Sequence, residues 1–386
     1  MPATRTPHHG AVTDTERTPE TAVDPLPLAG YTVAVTAARR REELGALLAR
    51  RGARVVYAPA IRIVPLADDA ELVAATRAVL ARPVDLVVAT TGVGFRGWLE
   101  AADAWDLPLV DHLRGTRVLA RGPKARGAIR GGGLVDAWSP ASESSAEVLE
   151  HLLSGAEGPL AGRRIAVQLH GDPLPDFVDA LRAAGAEVLT VPVYRWVLPE
   201  DVVPVRRLVA SIVARTVDAV TFTSAPAAAS LLTVADELGR RAEVVEALTG
   251  GVLPVAVGPV TAAPLAAAGI VSLQPERSRL GALAREVVAR LPERDPVLRV
   301  GAHEVQVRGH AALVDGRLVE LAPGPMAVLR ALSARPGTVL SRPELVRGLP
   351  GGGDGHAVEM AVTRLRAALG VPLVETVVKR GYRLKV

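Results

Sequence analysis

The chain has 386 residues, 49% of them hydrophobic and only 3% aromatic, so it is too long for one core and must pack chiefly with Ala, Val and Leu. It has no cysteine, which excludes a disulfide framework, a thiolate metal site and a cysteine nucleophile. The net charge of +4 is unevenly placed: residues 291–386 hold 14 Lys and Arg against 9 Asp and Glu, while residues 1–290 hold 31 against 32, so the excess sits where contacts to a polyanion would use it.

Residues 1–29 carry Pro2, Pro7, Pro19, Pro25 and Pro27 among Thr and Ala with no apolar core segment. They read as a disordered leader rather than a signal peptide. Next come two copies of one pattern, offset by about 133 residues. Gly30–Val35 opens a strand, Leu44–Arg51 follows as a helix, Gly52–Val55 begins a second strand, and Ile61–Pro65 continues beyond Pro59. Gly162–Val167, Phe177–Ala184, Gly185–Val188 and Tyr194–Val197 repeat that order. Later, Val84–Thr91 is matched by Val217–Ser224, and Leu119–Lys124 by Ala256–Thr261. The strand runs are continuously apolar rather than alternating, as in parallel sheets covered on both faces, so the fold class is α/β and duplicated.

Parallel sheets of this kind bind ligands beyond the carboxyl ends of their strands, where helices begin with free N–H groups. The loops at those ends carry Thr36, Arg39, Thr90, Thr91, Gly122, Lys124, His170, Thr223, Ser224, Gly258 and Thr261. Small hydroxyls and glycines at helix starts suit anionic oxygens. Each hydroxyl taken alone is more readily a helix N-cap than a ligand group, and only the recurrence in both copies points to a ligand cleft. The uncharged stretch Val252–Leu273 is cut by Pro254, Pro259, Pro264, Gly258 and Gly269 into strand, turn and short helix, so it is not read as a membrane span. A cytoplasmic location with no membrane partner is expected.

The eight histidines show no metal-ligand spacing, no Gly-x-x-x-x-Gly-Lys loop occurs, and Gly92-x-Gly94 lacks the third glycine of a dinucleotide fingerprint. Neither a metal nor a cofactor is expected.

The C-terminal segment is read as a helix-turn-helix followed by a hairpin. Ser341, Pro343 and Glu344 form a helix-start signature. After Gly351–Gly353, the residues Val358, Val362, Leu365 and Leu369 make the apolar stripe of a second helix that stops at Gly370. Its other faces carry His356, Met360, Thr363, Arg364 and Ala367, with Arg366 towards one flank. Glu375–Val378 and Tyr382–Val386 alternate as two strands around a basic tip of Lys379, Arg380 and Gly381.

These residues carry two resemblances. SRPELV, VEMAVTRLRAAL and ETVVKRGYRL resemble the winged-helix effector domain of OmpR/PhoB-type transcriptional regulators, over about the last hundred residues. That likeness implies double-stranded DNA as partner, major-groove roles for Thr363, Arg364 and Arg366, and a wing role for Arg383, while Lys379 and Arg380 of the basic tip are further DNA-contact candidates. It also departs from the usual wing, with Val378 and Lys379 where an Arg and a Gly are common. VDAVTFTS, AVGPVTA and VPVYRW in this order resemble uroporphyrinogen-III synthase from Gly30 to about Arg290. The implied fold is two-lobed and discontinuous: residues 30–65 and 200–290 form one lobe, 66–199 the other, and 291–386 the DNA-binding domain. Tyr194 and Thr261 match the family's functional Tyr and Thr, whereas Ala125 stands where a Thr would follow the second lobe's Gly-Pro turn.

Two functional expectations follow. One is a transcription regulator whose synthase-like domain senses an anionic small molecule, tetrapyrrole or other, or a partner such as another regulator or RNA polymerase; such fusions resemble actinobacterial regulators of nitrate and nitrite assimilation. The alternative is an active synthase converting hydroxymethylbilane to uroporphyrinogen III with a DNA-binding domain appended.

Overall fold

The computed structural model describes residues 25–65, 70–141, 144–169, 171 and 174–385. The expected leader therefore lies largely outside the described residues, but its last part does not: Leu28 is fully buried and its amide donates to Arg51 O at 2.8 Å.

The chain starts in a first lobe with β1 (Thr32–Val35), α1 (Arg41–Ala49) and β2 (Arg54–Tyr57), then leaves it through β3 (Arg62–Pro65). A second lobe follows: α2 (Ala70–Leu80), β4 (Leu86–Ala89), α3 (Gly92–Ala104), α4 (Leu109–Leu113), β5 (Arg117–Ala120), α5 (Pro123–Gly131), β6 (Asp136–Trp138), α6 (Ser145–Leu153), β7 (Arg164–Leu169), α7 (Pro175–Ala183) and β8 (Glu187–Pro192). The chain returns through β9 (Tyr194–Val197) and completes the first lobe with α8 (Val203–Val213), β10 (Ala219–Phe222), α9 (Ala225–Glu237), α10 (Arg241–Gly250), β11 (Leu253–Ala256), α11 (Pro259–Ala267) and α12 (Leu280–Glu293).

Both lobe sheets are parallel, with strand orders β11-β10-β1-β2 and β6-β5-β4-β7-β8. In the first, Val33 stands opposite Ala219 on one side and Val55 on the other. Every residue of β1, β4, β10 and β11 is buried, the consequence of helices packing on both faces. Among the largest buried side chains are Trp98 and Phe95 of α3, and the indole Nε1 of Trp98 donates to Thr76 Oγ1 at 3.0 Å. Burying an aromatic side chain of this size contributes roughly 1.5–3 kcal/mol, provided its polar atom finds such a partner. The repeat extends to single bonds. Asp85, just ahead of β4, accepts at Oδ2 from the amide of Arg164, the first residue of β7, at 2.8 Å, and Asp218, just ahead of β10, accepts at Oδ2 from the amide of Thr32, the first residue of β1, at 2.7 Å. The antiparallel pair β3–β9 links the lobes, with Arg62 opposite Val197 and Pro65 opposite Tyr194.

The last part is a winged helix. A four-stranded antiparallel meander leads it: β12 (Val297–Val300), β13 (His303–Val307), β14 (Ala311–Val314) and β15 (Arg317–Glu320). Then come α13 (Pro323–Ser333), α14 (Arg342–Val346), α15 (Gly355–Leu369) and the hairpin β16 (Val374–Val377) with β17 (Gly381–Leu384). Ser341 and Glu344 form the expected capping box, a device that stabilises a helix start by about 1 kcal/mol. The stripe Val358, Val362, Leu365 and Leu369 is buried against α13 and α14, and Gly370, at φ 72°, ends α15 in the left-handed region. Gly381, at φ 138°, has no alternative, because a Cβ there would lie 1.9 Å from Leu340 O.

The winged helix packs on the first lobe at the amino ends of its strands. Leu291 of α12 is in that lobe's core, and four residues later the Asp295 carboxylate accepts from the Tyr31 hydroxyl at 2.8 Å. Arg308 lies 5.4 Å from the Tyr31 ring centre, donates to Ala29 O at 2.8 Å and to Gln306 Oε1 at 3.0 Å, and is itself buried. The amide of His310 donates to Gly30 O at 2.8 Å. Among the described residues, no helix is long and apolar enough to cross a membrane.

Candidate ligand cleft and nucleic-acid interface

Between the lobes lies a cavity of about 630 Å³, reached from the carboxyl ends of β1, β4 and β5. Arg39 enters it from the first lobe; Thr90, Thr91, Arg96, Arg121, Gly122 and Lys124 enter from the second; Tyr194, at the start of the linking strand, closes it. Four cations line it, and among the described residues no carboxylate does. Gly122, fully extended, precedes α5 without a side-chain cap, so the first amides of that helix are left for a ligand. A second helix start is pinned more firmly. The Thr91 hydroxyl accepts from Gly94 N at 3.1 Å, and the Thr90 and Thr91 amides both donate to Gln168 Oε1, at 3.1 and 3.2 Å.

Tyr194 is buried, with its hydroxyl 3.4 Å from Thr91 Oγ1. Burial raises its pKa, while the bond to Thr91 and the charges of Arg121 and Arg39 work against that rise. The phenol therefore keeps its proton at neutral pH and faces the cavity as a donor.

The structure brings Arg39, Thr90, Thr91, Gly122, Lys124 and Tyr194 together, and sorts the other expected residues differently. Thr36 is fully buried and its hydroxyl donates to Thr221 O at 2.8 Å, so it stitches β1 to β10. The Thr90 hydroxyl likewise donates to Gln168 O at 2.7 Å. Thr223, Ser224, Gly258 and the buried Thr261 gather at the starts of α9 and α11, which pack on each other in the first lobe; none of them lines the cavity that Tyr194 closes. His170 lies outside the described residues. Arg96 and Arg121, which line the cavity, and Gln168, which holds the Thr90 and Thr91 amides, are not among the expected residues. A polar residue at the carboxyl end of the apolar run Ile165–Val167 is the available signal for Gln168, and the position straight after β5 is that for Arg121; Arg96, inside α3, carries none.

On the winged helix, α15 presents Thr363 and Arg364 to solvent. The Thr363 hydroxyl donates to Glu359 O at 2.9 Å, while Arg364 has no ion pair or side-chain hydrogen bond within the described residues. Arg366, expected to read bases, is engaged within the domain: its Nε and Nη2 donate to Val374 O at 3.1 and 2.9 Å and Nη2 also to Thr376 Oγ1 at 2.8 Å. Arg383 pairs with Glu375 at 2.8 Å across the hairpin. Lys379, at φ 60°, and Arg380 stand exposed at the tip.

Fold and cleft together define a two-lobed α/β domain with a basic inter-lobe cavity, carrying a winged helix-turn-helix. Residues 42–285 match the family model for uroporphyrinogen-III synthase HemD and residues 316–384 that for the C-terminal domain of transcriptional regulatory proteins. The chain therefore belongs to the uroporphyrinogen-III synthase HemD family, with an OmpR/PhoB-type DNA-binding domain joined to it. A uroporphyrinogen III synthase of Thermus thermophilus, solved as a triple mutant, superposes with a TM-score of 0.56 at 32% identity, over 69% of this chain and all of that one. The Bacillus subtilis protein YjjA, named as uncharacterized, is 29% identical over 271 residues, covering 69% of this chain and 98% of its own. Transcriptional regulatory protein CseB of Streptomyces coelicolor is 41% identical over 92 residues, which span 23% of this chain and 39% of CseB.

Proposed function

We propose that this protein is a DNA-binding transcription regulator in which an anionic small molecule, held in the inter-lobe cavity, controls the winged helix. One observation carries the reading: β1 bears on both sites. Just past its carboxyl end, Arg39 enters the cavity, and at its amino end Thr32 meets Asp218 and lies 3.4 Å from His310 of the winged helix. A ligand that shifts one lobe against the other moves the platform on which the DNA-binding domain sits, and it biases DNA affinity to the extent that it prefers one lobe arrangement. Four cations and the free helix-start amides of α5 suit a ligand bearing several carboxylates or phosphates, tetrapyrrole acids among them. Nitrogen-assimilation genes are the targets we infer from the resemblance of such fusions to actinobacterial regulators of nitrate and nitrite assimilation.

The runner-up, an active synthase, is favoured by Tyr194, a neutral donor in the cleft of a family member. Two measurements on the full chain separate them. The first is duplex binding with selection from random DNA, repeated with uroporphyrin III added; a preferred duplex whose affinity changes with the tetrapyrrole supports the regulator. The second scores uroporphyrinogen III over isomer I from freshly generated hydroxymethylbilane. Turnover with DNA affinity indifferent to the tetrapyrrole would replace the regulator reading by the enzyme.

A further inference from the structure

A second cavity, of about 700 Å³, lies at the opposite edge of the first lobe's sheet, where the winged helix docks. Its two walls differ in chemistry. Arg54 at the amino end of β2 and Arg215 after α8 come from the lobe, while Arg330 of α13 and His310 come from the winged helix; Glu320 is the one carboxylate among the described lining residues. The rest of the winged-helix wall is apolar, with Pro323, Met326 and Ala327 along one side of α13.

The guanidinium groups are not equally occupied. Arg215 reaches Glu246 at 3.2 Å, and Arg330 donates to Gly309 O. Arg54 is exposed to the cavity and makes no ion pair or side-chain hydrogen bond within the described residues. The field of this group is felt by its neighbour: His310 is held below its ordinary pKa by burial first, then by the charge of Arg54, with Arg330 adding to it and Glu320 opposing. Burial disfavours any charge here, but the part of that shift owed to Arg54 and Arg330 is an attraction for an anion.

We propose that this junction cavity is a second ligand site, taking a small molecule with one oxyanion group, carboxylate or phosphate, on a compact apolar body. The oxyanion pairs with Arg54, which gains the partner it lacks, and comes within reach of Arg330. The apolar body lies along Met326 and Ala327. Because the occupant touches β2 on one side and α13 on the other, it ties the winged helix to the lobe. This assignment does not rest on the regulator reading, since the test below reads binding and not DNA affinity.

The test follows the thermal midpoint of the full chain titrated with phenyl phosphate, with benzoate, and with inorganic phosphate as an oxyanion without the apolar body. A ligand that binds only the folded chain raises the midpoint saturably. Phenyl phosphate or benzoate is expected to do so at concentrations at least about tenfold lower than inorganic phosphate, one lost apolar contact surface being worth roughly a factor of ten. Whichever of the two acts at the lower concentration identifies the oxyanion. Arg54→Gln is expected to raise the half-saturating concentration about tenfold, as loss of a charge-assisted bond does. Ala327→Leu, which leaves every charge in place, is expected to abolish the advantage of the apolar body while sparing the phosphate response. The proposal is overturned if neither aryl ligand shifts the wild-type midpoint, or if Arg54→Gln and Ala327→Leu both respond as wild type. It is equally overturned if the response persists in Arg54→Gln and disappears in Lys124→Gln, which would put the binding in the inter-lobe cleft.

Discussion

The guanidinium of Arg366 donates twice to the carbonyl of Val374, 3.1 and 2.9 Å away, and so fastens α15 to β16, the first strand of the wing. It also lies 6.0 Å from the centre of the Tyr382 ring on the second strand, with Arg342 5.5 Å from the same ring. These contacts tie helix and hairpin to one another. Arg366→Ala is expected to destabilise the winged helix by about 1–3 kcal/mol, because a carbonyl loses a charged donor, and to weaken operator and scrambled duplex alike. Chemical denaturation and duplex titrations check it; a variant of wild-type stability that loses only operator preference would return Arg366 to base reading.

Arg364, on the solvent face of the same helix and without a protein partner among the described residues, is placed to present its guanidinium to guanine O6 and N7 in a major groove. Arg364→Ala is expected to cost about 1–3 kcal/mol at the preferred duplex and to flatten its preference over scrambled DNA. Lys379→Ala, at the wing tip, is expected to weaken both duplexes equally and to lower the slope of log K against log salt by about one unit. Equal losses on both DNAs for Arg364→Ala would make the helix a phosphate clamp.

The contrast between these two arginines marks how far the sequence could be read. Spacing showed the buried stripe Val358–Leu369 and hence which residues face away from it, because helical period fixes faces. Spacing could not show that one flank residue would be recruited by a carbonyl eight positions on, since that depends on where the hairpin folds back. The parallel sheets were legible for a similar reason: uninterrupted runs such as Leu86–Ala89 and Ala219–Phe222 leave no solvent face. The meander Val297–Glu320 was not read, because its strands mix exposed charged residues with apolar ones, as in Val297–Val300 and Arg317–Glu320, and Arg308 is a buried cation within a wet-looking sequence. At the cleft, small hydroxyls at strand ends announced a site but not their tasks. Thr36 and Thr90 bond inward to the sheet, while the long side chains of Arg39, Arg96 and Lys124 reach the cavity.

Asp218 gives the lobe–winged-helix junction a pH dependence. Burial pushes its carboxyl up to about 6, against the hydrogen bond from Thr32 N and the charges of Arg330 and Arg294, with Asp295 adding to the rise. The Asp295 carboxyl is itself raised by burial, against its bond from Tyr31 and the charges of Arg330, Arg294 and Arg308. In the unfolded chain an Asp titrates near ~3.9, so between about pH 4 and 6 the folded protein binds more protons and stability falls as pH rises. The stabilisation is fully present below the unfolded value and is lost once pH passes the folded one, a difference of at most roughly 3 kcal/mol. Asp218→Asn keeps an acceptor for Thr32 N, and is expected to be more stable than wild type at pH 7–8 and to lose much of that slope. Denaturation midpoints from pH 4 to 8 check it; parallel curves for the two chains would remove Asp218 as the cause.

Tyr194 is where binding and chemistry can be separated. Its ring is packed in the core of the second lobe, 6.2 Å from the centre of Trp196, so Tyr194→Phe removes one hydroxyl without opening a cavity. The hydroxyl lost is the neutral donor beside Thr91 Oγ1, facing four cations. If the chain turns over hydroxymethylbilane, removal of a positioned proton donor is expected to lower the rate on the order of 10²-fold at unchanged stability. If the cleft only binds, the same substitution is expected to weaken uroporphyrin III binding by about tenfold or less, the worth of one hydrogen bond, because the cations still supply most of the attraction. Lys124→Ala reverses the weights: it leaves the donor in place and removes one cation from the start of α5, so it is expected to weaken binding with a steeper loss at low salt. Rates and affinities measured on both variants distinguish the cases, and a Tyr194→Phe chain indistinguishable from wild type in both would take Tyr194 out of the site.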